Sequence, residues 1–382
     1  MSETTAQSSA SHARVQALDL LRLFAALAVV SYHYSFRGAS ADGMTWLSLP
    51  AVVPVTKYGF LGVQLFFVIS GFVIAYSAEG RTVRQFFIAR FARIYPGFLA
   101  CMTLTFLVLF FLGPPEATVS PIQWLANLVI VSPALKQPFV DGVYWSIVYE
   151  LVFYAWIAGL IAGGFFPRRL PAFVAGWLVL SLANDLFLDI GALRRVLLTD
   201  DSGFFAAGIM LYVLHSGRRT IANYGLLAAA VAVAVLQGNW GADWVRDHFS
   251  IVLSPVAVGA ISVTAVALVA ACLFIRRLPL SAGAILAIGG LTYPLYLIHQ
   301  MAGFAIFNRL AGIASAPVLA PAVLALMLAV AFLVYRYVER PGQRATKRLL
   351  DRFLPGAKRA ASPREVPIRV FGPVRIPRAV TR

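Results

Sequence analysis

Long apolar runs follow one another along this chain with only short polar connections between them, and that alternation leaves few folds open. A run of ~20 apolar residues is the length that crosses a hydrocarbon core as a helix. Charged residues make up only 13% of the 382 and hydrophobic ones 60%, whereas a soluble domain carries ~25% charged residues. A surface this short of charge is not built to face water. The expected fold is therefore an all-α integral membrane protein, a bundle of about ten transmembrane helices with no soluble domain attached.

The spans are read as Ala17–Phe36, Tyr58–Ser77, Gly97–Leu112, Gly142–Ile161, Pro171–Leu188, Ser202–His215, Ile221–Gln237, Ile251–Ile275, Ile285–Asn308 and Val318–Tyr337. Pro121–Ser132 is apolar but too short to cross, and reads as an interfacial or re-entrant piece. With the N-terminus inside, Arg81, Arg84, Arg90, Arg93 and the pairs Arg168–Arg169, Arg218–Arg219 and Arg276–Arg277 all fall in inner connections. Asp42, Asp141, Asp200, Asp201 and other acids dilute the basic residues of the outer ones. Dense basic residues in short loops mark the cytoplasmic side, so both termini are expected there.

Three parts follow: residues 1–16 as a polar, disordered cytoplasmic start, 17–341 as the membrane domain, and 342–382 as a basic, low-order cytoplasmic tail that can lie on anionic lipid. The first apolar run has no small-residue cleavage site and reads as a retained span rather than a signal peptide. The net charge of +16 lies in loops and tail, not on a soluble basic module, so nucleic acid is not expected as a partner. Cys101 and Cys272 lie in separate apolar runs and read as small core residues, and no ligand spacing suggests a metal.

Polar groups inside spans are expensive and mark function by default. In the first span, Asp19 and Arg22 are three residues apart and can pair on one face. His33 lies eleven residues beyond Arg22, ~16 Å of rise and nearly a whole number of turns. The two share a face but approach opposite leaflets. Position alone leaves open a snorkelling arginine with an interfacial histidine. In RTVRQFFIARFARIYP, Phe87, Phe91 and Ile94 form an apolar stripe, so the segment can lie on the inner leaflet with Arg90 and Arg93 turned away. Two guanidinium forks one turn apart suit a polyphosphate; ordinary positive-inside charge is the plainer account.

Glu150 is the strongest single flag. It lies five residues past Trp145, an expected outer-interface aromatic, which puts a carboxylate in the outer third of the bilayer. In LTYPLYLIHQ, Pro294 should kink the ninth span and free the Gly290 carbonyl, with His299 in the outer half. His33, Glu150 and His299 thus come to one depth on three helices. A structural pairing of Glu150 and a satisfied core histidine at His299 stay open.

At these residues the chain resembles the acyltransferase 3 family, from about Val15 to Pro341. LDLLRLFAALAVVSYH is similar to its first-helix signature, with Arg22 and His33 at an Arg-x10-His spacing. FLGVQLFFVISGF resembles its Ser-Gly-Phe segment at Ser70, and RFAR its Arg-x-x-Arg motif at Arg90 and Arg93. YWSIVYELVFY resembles the block holding Trp145, Ser146 and Glu150; YPLYLIHQ, with Tyr293 and His299, and VERP, with Glu339 and Arg340, resemble its last two signatures. Leu23-Phe24 departs from the family, which often has Gly there, and should alter packing more than chemistry.

The resemblance implies transfer of an acyl group, usually acetyl, from cytoplasmic acyl-CoA to a hydroxyl of an extracytoplasmic carbohydrate or lipid-linked glycan, across a bacterial inner membrane. In those terms His33 is general base or transient acyl carrier. Glu150 orients or stabilises an imidazole and His299 is a second polar contributor. Arg90 and Arg93 hold CoA phosphates, with Arg22 along the route. A secondary transporter also puts carboxylates and a broken helix at membrane depth, and a non-enzymatic polysaccharide-assembly subunit fits if the histidines are structural. The absence of an internal repeat and the Arg-x10-His spacing count against the transporter.

Overall fold

The computed structural model describes residues 16–114, 117–275 and 278–354. The expected disordered start, Arg276–Arg277 and the end of the basic tail lie outside the described residues. Among those described, the chain is helical without strands. Nine helical stretches are long and apolar enough to cross a bilayer, and a pair bent by 68° makes a tenth crossing if taken together.

Helix α1 (Gln16–Tyr32) continues as a π-helical segment, His33–Ala41. Helix α2 (Gly62–Ala78) follows, then α3 (Val83–Leu112), the short α4 (Pro121–Asn127) and α5 (Trp145–Ala162). Next come α6 (Leu170–Ala183), the short α7 (Gly191–Leu197), α8 (Ser202–His215), α9 (Ile221–Phe249) and α10 (Pro255–Cys272). The bent pair is α11 (Ala282–Ile298) and α12 (Met301–Arg309); α13 (Ala316–Leu333) passes through a π-helical turn into α14 (Arg340–Phe353).

Every residue of α8 from Ser202 to Leu214 is buried. A helix apolar all round belongs inside a bundle, and α8 packs most extensively against α2 and α9. Glycines set the α2–α8 approach. A Cβ on Gly71 would press on the Phe205 carbonyl, and one on Gly208 on that of Val68. Small residues let helix backbones meet closely in lipid, so Gly71 in the Ser-Gly-Phe segment is a packing residue. Gly71→Val should lower stability by ~1–3 kcal/mol through overpacking, read as a fall in the unfolding midpoint of the detergent-solubilised protein. An unchanged midpoint would mean that the two helices part without penalty.

Three expectations need correction. The Arg-rich stretch expected on the inner leaflet is the first three turns of α3, which spans 30 residues. Thr82 and Gln85 form a reciprocal capping box that starts the helix there, and Pro96 is accommodated within it. The tail expected to be low-order after Glu339 begins as α14, which is tied to α3 by Arg84 donating to Asp351 at 3.0 Å. The bend expected at Pro294 lies instead after Ile298, while Pro294 stays inside α11.

Candidate active site

The centre of the bundle holds two histidines in contact. His33, 4% exposed, begins the π segment of α1; His299, fully buried, caps the end of α11. His299 Nδ1 lies 2.8 Å from the Tyr296 carbonyl and 3.2 Å from that of Leu295. Both partners only accept, so Nδ1 carries the proton and Nε2 of the neutral ring presents a lone pair. That lone pair is 3.0 Å from His33 Nδ1. His33 Nδ1–H therefore donates, in a fork shared with the Val29 carbonyl at 2.9 Å. The remaining nitrogen, His33 Nε2, is left with a lone pair and no hydrogen-bond partner among the described residues. Backbone carbonyls of two helices thus fix both tautomers and aim one basic nitrogen, as an orienting partner does in a nucleophile–base–orienter relay.

Glu150 does not meet either imidazole. Trp145, half-buried at the start of α5, packs against Phe67 and Tyr149. Ser146 meets Tyr296 hydroxyl to hydroxyl at 2.7 Å, and Glu150 lies one turn further along α5. Its carboxylate accepts from Tyr154 at 2.5 Å and has Arg22, Arg93, Tyr293 and Tyr296 as electrostatic neighbours. It is the counter-charge of an arginine layer, not the partner of a histidine.

Within that layer the three arginines differ. Arg22 pairs with Asp19 at 2.9 Å as expected, and Asp19 packs onto Gly289 of α11. Arg93 pairs with the fully buried Glu339 and lies over the Tyr293 ring. Arg90 has no ion pair among the described residues. It donates to Ser77 at 2.7 Å and lies over the rings of Phe86 and Tyr154, with its buried Nε unpartnered. Of these three arginines, only Arg90 lacks a carboxylate partner among the described residues. Ser70 is half-buried beside Gly71, and Arg340 lies over the Tyr335 ring, away from the histidines.

Three residues that the sequence left unmarked belong to the site. Tyr34 donates to the His299 carbonyl at 3.0 Å, and Tyr296 lies one turn before His299 on α11. Asp141, fully buried, accepts from the Met301 N–H at 3.0 Å. Tyrosines in an apolar run carry no polar signal in sequence, and Asp141 looked like loop charge. Away from the arginines, a pocket of about 340 Å³ is lined by Met44, Trp46, Met301, Phe304 and Asn308, with Met301 two residues past His299.

A polytopic helical bundle with two oriented imidazoles in contact in its interior, and arginines along the same interior, has the make-up of a membrane-embedded enzyme. The chain belongs to the acyltransferase 3 family: the model of that family's acyltransferase domain matches residues 15–336. It is also similar to the acyltransferase MdmB of Streptomyces mycarofaciens, at 27% identity over 371 residues, which covers 87% of this chain and 92% of that one. No solved structure matches it. It is a multi-pass membrane enzyme that transfers acyl groups.

Proposed function

We propose that the enzyme moves an acyl group, acetyl in the simplest case, from acyl-CoA on the cytoplasmic side to a hydroxyl of an extracytoplasmic carbohydrate or lipid-linked glycan at a bacterial inner membrane. The observation that carries this reading is the 3.0 Å contact that leaves His33 Nε2 as a directed base. The acceptor hydroxyl oxygen attacks the thioester carbonyl while its proton passes to His33 Nε2. The carbon–sulfur bond then breaks, and the CoA thiolate takes that proton from the imidazolium. In a two-step route the same lone pair would carry the acyl group first.

The arginine-rich start of α3, with Arg81 in the connection before it, is the cytoplasmic side in this reading, in keeping with the positive-inside rule. Arg90 then receives a CoA phosphate, with Arg22 further along the route, and the pocket at the opposite end admits the acceptor. The orientation of both termini rests on the same charge pattern, and the assignment of 17–341 as the catalytic unit on the run of apolar spans and the family resemblance.

Purified enzyme in proteoliposomes should release CoA from labelled acetyl-CoA and pass label to a glycan acceptor, and mass analysis of surface glycans from a deletion strain would identify that acceptor. Arg90→Ala should raise KM for acetyl-CoA about ten- to a hundred-fold with little change in turnover, as expected for a lost charge-assisted bond made equally in ground and transition states. An unchanged KM would remove Arg90 from the donor site. Failure of the purified protein to use acyl-CoA at all would overturn the reading.

A further inference from the structure

The break between α11 and α12 falls directly after His299, and it is held by a residue from elsewhere in the chain. A helix bent by 68° leaves an N–H at the start of the new segment and a carbonyl at the end of the old one without helical partners. Asp141 Oδ2 accepts the Met301 N–H at 3.0 Å, and its Oδ1 accepts the Val143 N–H at 3.2 Å. From the other side, Tyr34 takes the His299 carbonyl. Asp141 is fully buried and forms no ion pair among the described residues. An uncompensated buried carboxylate is expensive. What it offers that an amide does not is two acceptor oxygens, here divided between two chain segments.

We infer that Asp141 is a positioning residue for acyl transfer: it fixes the α11–α12 break and thereby holds the His299 imidazole against His33, given His33 as the base proposed above. A shift of the break by one helical residue would turn His299 away and leave the Val29 carbonyl alone to orient the His33 ring. The effect should then fall on turnover, since the donor arginines lie on other helices.

The groups facing Asp141 are Arg37 and Tyr34 from the π segment of α1, Tyr144 from its own segment and Tyr296 from α11. Only Arg37 is charged, and it is committed to Asp42 at 2.8 Å. Asp141 lies one residue before the span that starts at Gly142, and burial, outweighing its two N–H bonds, pushes its carboxyl up to about 7. The ionised form accepts both N–H groups; protonation takes one oxygen out of that role. Activity of the wild type should therefore be full above about pH 7 and decline as pH falls through that value.

The test compares wild type, Asp141→Asn, Asp141→Glu and His33→Ala in proteoliposomes, with labelled acetyl-CoA as donor, measuring kcat, KM and the pH profile of each. Asp141→Asn should lower kcat about ten-fold or more, leave KM for acetyl-CoA unchanged and lose the limb near neutrality. Wild-type kcat and pH profile in Asp141→Asn, with His33→Ala inactive, would overturn the role of Asp141 and leave that of His33 standing. An active His33→Ala would instead overturn the base assignment beneath it. Should Asp141→Asn not fold, Asp141→Glu decides, because it keeps the carboxylate: a lowered kcat with a displaced neutral limb supports the inference, and an unshifted wild-type profile overturns it.

Discussion

His33→Ala is expected to lower the turnover of acyl transfer by a factor of ~10²–10⁴ while leaving the protein folded and inserted. Removing a general base has that magnitude when no other base stands in its place, and among the described residues the lone pair of His299 Nε2 lies behind the ring, 3.0 Å from Nδ1 rather than at Nε2. Its contacts are a carbonyl, an imidazole whose own proton is committed to backbone oxygens, and the edge of Tyr32. Glu150, the nearest candidate by composition, serves the arginine layer instead. His299→Ala should cost less, about ten-fold, because His33 would keep its nitrogen and its bond to the Val29 carbonyl but lose the second of the two hydrogen bonds that orient its ring. Turnover with labelled acetyl-CoA, together with surface-glycan acylation at matched expression, separates the two. If His33→Ala acylates normally and His299→Ala does not, the base sits on α11.

Arg93→Ala is expected to act on stability rather than on the donor. Glu339 is completely buried and Arg93 is its ion-pair partner, with Gln343 donating to the same carboxylate at 2.9 Å. Removing one member of a buried pair leaves an uncompensated charge, worth ~3–5 kcal/mol. The Arg93 side chain is 40% exposed, so solvent screens part of the pair and the lower end, about 3 kcal/mol, is expected. The unfolding midpoint in detergent should drop, and Arg93→Ala combined with Glu339→Gln should recover much of the loss, because the stranded charge is then gone. A single substitution that leaves the midpoint unchanged would show that the pair forms without holding α3 to the turn before α14. The contrast with Arg90 follows from partners alone: one guanidinium of the Arg-x-x-Arg motif is ion-paired and the other, among the described residues, is not.

The spans were legible because hydrocarbon thickness imposes a length that apolar runs either reach or miss. The first span, the fifth and the bent ninth lie close to where their apolar runs place them. The pairing of Asp19 with Arg22 was equally legible, being set by local helical geometry. What escaped was set by partners distant in sequence. Pro294 announces a bend, yet the break occurs where Asp141 and Tyr34, from two other segments, supply the hydrogen bonds that a broken helix needs. His33 and His299 could be brought to one depth by counting residues, but their contact depends on the packing of α1 against α11, which residue counting does not contain. Glu150 was misplaced for a similar reason: counting brought it level with the histidines, whereas the contact of Ser146 with Tyr296 sets it a further turn along α5.

The hydroxyl pair of Ser146 and Tyr296 has a consequence for the cell's energy supply. An enzyme that draws one substrate from each side of a membrane must admit both without admitting a continuous file of water, which would short-circuit the ion gradient. Tyr296, buried and bonded to Ser146 at 2.7 Å and to the Val143 carbonyl at 3.3 Å, stands one turn before His299 on α11 and ties it to α5. On the route proposed above, a thioester reaching His33 from the arginine side passes this hydroxyl pair, which would have to re-form behind each departing CoA. Leak tightness and turnover are therefore in competition at one pair of hydroxyl groups.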